Sequence, residues 1–76
     1  MSMNKSYDRT AIVECIDNDK AVDADVLEFV EGKYLTVAIN TVRVNLQYNK
    51  KHSNYLGSLG GLEFRSTGPK TLGYYR

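Results

Sequence analysis

Residues 33–48 read Lys-Tyr-Leu-Thr-Val-Ala-Ile-Asn-Thr-Val-Arg-Val-Asn-Leu-Gln-Tyr. Val42, Val44, Leu46 and Tyr48 alternate with Arg43, Asn45 and Gln47. Leu35, Val37 and Ile39 alternate with Tyr34, Thr36 and Ala38. Successive side chains of a strand point to opposite faces, so a period of two buries one face and wets the other. Asn40-Thr41 separates the two runs, and Asn tolerates the positive φ that a tight hairpin needs. An antiparallel hairpin is therefore predicted over 33–48.

The flanking segments extend this pattern. Residues 7–16 are rich in strand formers and end in the turn cluster Asp17-Asn18-Asp19-Lys20. Residues 21–30 fit two periods. A helix would be capped by Asp19, would line up Val22, Val26, Phe29 and Val30, and would end at Gly32. A strand would place Leu27 and Phe29 on one face and Val26 and Val30 on the other. Three valines, and Glu31-Gly32 leading straight into the next strand, favour the strand. After Tyr48 comes a polar loop over 49–54, then Tyr55-Leu56 and Gly57-Ser58-Leu59-Gly60-Gly61. Leu62 and Phe64 point inward in a last short strand, with Glu63 and Arg65 outward. Pro69 cannot donate to a ladder and ends it. The tail 70–76 has no clear period.

The fold expected is all-β: five to six short antiparallel strands in meander order, curled into a small barrel or a two-layer sheet. The chain of 76 residues forms one domain, with 1–6 and 70–76 flexible or loosely docked. Its core is expected from Val13, Leu27, Phe29, Leu35, Val37, Ile39, Val42, Val44, Leu46, Leu62 and Phe64. A chain of this mass buries about 60% of its extended surface, enough for one thin core but not for a deep pocket as well.

The net charge of +1 conceals a segregation. Residues 14–31 hold seven acids against Lys20, a sum of −6. Residues 32–76 hold seven bases against Glu63, a sum of +6. Either the two parts fold together and pair their charges, or they present surfaces of opposite sign. With one cysteine, Cys15, and no secretory hydrophobic region, a cytoplasmic setting is expected, in the host cell if the protein is viral. No apolar run approaches the ~20 residues of a membrane-spanning helix.

Catalytic patterns are not assembled. The lone histidine, His52, sits between cations and Ser53, with no partner to orient it as a base. One Cys and one His do not make a zinc site. Asp17-Asn18-Asp19-Lys20-Ala21-Val22 lacks the Gly of a calcium loop at its sixth position. In Gly68-Pro69-Lys70-Thr71 the proline removes an N–H that would cradle phosphate. No enzyme activity, cofactor or metal is therefore expected. Gly57-x-x-Gly60 reads as a bulge or corner rather than a nucleic-acid clamp, which needs flanking helices.

Binding is the expected activity, through protein–protein contacts or self-association. The alternative is nucleic-acid or nucleotide binding by the basic half. Single-strand binders set stacking aromatics beside cations, and the candidate residues are Lys50, Lys51, His52, Tyr55, Lys70, Tyr74 and Arg76. Against this, +1 is a small charge for a polyanion binder.

The run Tyr55-Leu56-Gly57-Ser58-Leu59-Gly60-Gly61-Leu62-Glu63-Phe64, following the alternating strand 42–48, resembles the closing strands of PilZ-type barrels, which often end in Gly-Leu-Glu-Phe. The resemblance covers about the last half of the chain and implies a small β-barrel. That family binds cyclic di-GMP through Arg-x-x-x-Arg and a later Asp/Asn-x-Ser-x-x-Gly. Here Lys5-Ser6-Tyr7-Asp8-Arg9 offers a Lys/Arg version of the first motif. The residues leading to Gly32 do not match the second, so the ligand is not carried over. In size and style the chain also looks like the short proteins of marine bacteriophages.

Overall fold

The computed structural model describes residues 4–75 and contains eight strands and no helix among them. They are β1 (Asn4–Tyr7), β2 (Thr10–Cys15), β3 (Lys20–Val30), β4 (Tyr34–Ile39), β5 (Val42–Asn49), β6 (Asn54–Leu59), β7 (Leu62–Ser66) and β8 (Thr71–Tyr75). Strands β2 to β7 form a closed antiparallel barrel in meander order, while β1 and β8 pair as a separate ribbon. The barrel thus has the six strands expected at most, and the ribbon adds two. The segment 7–16 is divided at Asp8-Arg9, where the chain leaves the ribbon and enters the barrel.

The predicted hairpin is present as β4–β5, with Leu35 opposite Leu46 and Val37 opposite Val44. All four side chains are buried. Its turn has Asn40 at φ 49° and Thr41 at φ 66°, both left-handed, as a two-residue turn matching strand twist requires. Gly60 and Gly61 make the equivalent turn between β6 and β7, at φ 60° and 81°.

Residues 21–30 are strand, and the helix-like spacing has a local cause. The register of β3 against β4 slips between Val26 and Glu28, so the inward parity changes across Leu27. Ala24 and Val26 face the core before the bulge and Phe29 faces it afterwards. A one-residue phase shift inside a period of two leaves apolar positions at 22, 26, 29 and 30, which imitates a helical stripe.

That bulge also corrects the expected core. Leu27 is the extra residue and is 53% exposed. Val42 and Leu62 are inward by parity but lie at the first positions of β5 and β7, beyond the enclosed belt, and are also exposed. Ile39, Phe29 and Phe64 pack against the core while half-buried. Ala11, Ala24 and Tyr55 are buried members that hydrophobicity alone did not single out. Ala11 and Ala24 stand opposite each other in register; a six-stranded barrel is narrow, and small pairs leave room for Leu35 and Leu46.

Closure comes from β2 against β7, with Val13 opposite Ser66, Glu14 opposite Arg65 and Cys15 opposite Phe64. The Ser66 hydroxyl donates to the Ile12 carbonyl at 2.6 Å and accepts from the Gly68 amide at 3.0 Å. Gly57 lies where β6 bends over β5: a Cβ there would overlap the Asn45 carbonyl oxygen and lie 2.7 Å from Leu46 Cδ2.

Candidate functional site

A meander barrel has two ends, and the hairpins sort between them. One end carries the connections at 31–33, 50–53 and 67–70 and the junction with the ribbon. It is filled by aromatic rings. Tyr7 meets Phe29 edge-on at 4.8 Å, Phe29 meets Tyr55 at 5.5 Å, and Tyr55 meets Tyr48 at 5.1 Å between centroids. The Tyr55 hydroxyl accepts a hydrogen bond from the Gly32 amide at 2.9 Å, which satisfies the one polar atom of a buried ring.

This arrangement separates the candidate residues. Lys50, Lys51 and His52 lie exposed on the β5–β6 loop, whose turn is held by Asn49 Oδ1 accepting from the Lys51 and His52 amides at 2.9 and 3.3 Å. Lys70 is exposed at the same end, after the buried Pro69. Tyr55, however, is 4% exposed and Tyr48 is half-buried against it, so the rings that flank the lysines in sequence face the core. Tyr74 stands opposite Lys5 in the ribbon register. Arg76 lies outside the described residues.

The charge segregation is partly resolved by internal pairing. Glu14, from the acidic stretch, forms an ion pair with Arg65 from the basic one across the closing strands. Asp17 Oδ2 accepts from the Glu63 amide at 2.7 Å, and the Ile16 amide donates to the Glu63 carbonyl at 2.9 Å. Asp23 and Asp25 remain exposed on β3. The Tyr34 hydroxyl is hydrogen-bonded to Glu28, and that bond, some burial and the carboxylate charge push its pKa above the ordinary 10.0. No group of three His, Cys, Asp or Glu side chains able to hold a metal occurs among the described residues. Cys15 is a free, buried thiol.

The opposite end carries the turns at 16–19, 40–41 and 60–61 and lies beyond Phe64, which stands opposite Cys15 and packs half-buried against the core. Ile16, Val22, Val42, Leu59 and Leu62 lie around it, each between 40% and 47% exposed. They come from all three hairpins of that end. Leu59 and Leu62 are direct register partners, and Ile16 is tied to β7 by its amide. Ile16 also borders a depression of about 270 Å³ lined further by Leu56, Gly57, Ser58, Glu63 and Phe64. The apolar mouth was not anticipated: inward parity marked Val42 and Leu62 as core, and only the length of each strand beyond the closed belt exposes them. A separate open depression of about 380 Å³ on the outer wall includes Ile12, Glu14, Asn54 and Arg65. Asn54 Oδ1 is buried without a hydrogen-bond partner.

In comparisons with known proteins, no family model, no curated protein and no solved structure matches this chain. No described helix is long and apolar enough to cross a membrane.

Proposed function

We propose that this chain is a small non-enzymatic binding module that works in the cytoplasm through protein–protein contacts or self-association, with the barrel end at the 16–19, 40–41 and 60–61 turns as its contact surface. The observation that supports this is the gathering of Ile16, Val22, Val42, Leu59 and Leu62 at one end. Single exposed apolar residues are ordinary, whereas a concentration of them marks an interaction surface. The free thiol Cys15 suits a reducing compartment.

A photo-crosslinking residue at Thr41, beside the mouth, tests the proposal against the same residue at Gln47 on the outer wall. Adducts, with a second copy or another protein, should form from position 41 and be lost with Leu59→Asp. Equal adducts from both positions, or none from 41, overturn it.

The second reading is nucleic-acid or nucleotide binding at the plugged end. Exposure of Lys50, Lys51, His52 and Lys70 at that same end supports it, while burial of Tyr55 removes a stacking platform. Labelled single-stranded DNA and RNA at low salt decide it. Binding that falls steeply with salt and is lost with Lys50→Ala and Lys51→Ala supports the reading, and no binding at low salt ends it.

A further inference from the structure

We draw no further inference here: the strongest candidate, the open depression on the outer wall across the β2–β7 seam, lined by Ile12, Glu14, Asn54 and Arg65, carries nothing, because the unpartnered Asn54 Oδ1 at its side is closed off from any occupant, the Glu14–Arg65 pair answers its own charge, and nothing in the structure shows what would fill it.

Discussion

The Gly32 amide donates to the Tyr55 hydroxyl at 2.9 Å, joining the β3–β4 turn to β6 across 23 positions of sequence. The bond fixes a ring that contacts both Phe29 and Tyr48. Tyr55→Phe keeps the ring and removes the acceptor, so it should cost about 1–2 kcal/mol, read as a lower urea midpoint at unchanged slope. Tyr55→Ala should cost about 3–5 kcal/mol through the cavity it leaves. Equal losses for the two variants would contradict a ring-dominated role.

Gly57 tolerates no side chain, since a Cβ would overlap the Asn45 carbonyl oxygen. Gly57→Ala should destabilise by about 1–3 kcal/mol, because backbone must move to admit it. Denaturant unfolding should place this variant well below the wild type.

Leu27 and Leu35 look equally core-like in sequence, yet one is 53% exposed and the other is fully enclosed. Leu35→Ala should cost about 2–5 kcal/mol, and Leu27→Ala within about 0.5 kcal/mol. Thermal or urea unfolding of the pair checks the bulge directly.

The Glu14–Arg65 pair is partly exposed on both sides, so solvent screens it. A double-mutant cycle with Glu14→Gln and Arg65→Met should give a coupling of about 1 kcal/mol or less, shrinking at high salt.

Tyr34 should ionise above its ordinary value because Glu28 hydrogen-bonds and opposes the phenolate. A pKa raised in the folded state contributes stability that is present below the unfolded value and fades as pH rises through the folded one. The contribution is therefore intact up to about pH 10 and declines above it. Phenolate absorbance should show a late-titrating tyrosine that disappears in Tyr34→Phe and moves toward the ordinary range in Glu28→Gln.

Much of the barrel was legible before any coordinates. The β4–β5 hairpin, its Asn40-Thr41 turn and the inward set Leu35, Val37, Val44 and Leu46 all follow from residues next to one another. The candidate basic cluster was legible only as composition. Period-two geometry, applied to Tyr48 and Tyr55, turns both rings inward and leaves Lys50, Lys51 and His52 exposed without them.

By itself the sequence determined that this chain makes antiparallel strands and where most of its turns fall, because turn chemistry and side-chain alternation are local properties of the backbone. Tertiary structure alone decided the rest. The bulge at Leu27 exists because β3 must follow both β2 and β4. Closure depends on contacts such as Ser66 with Ile12, 54 positions apart. Exposure of Val42 and Leu62 depends on how far each strand outruns the closed belt. These are agreements between distant segments, and no local window contains both partners.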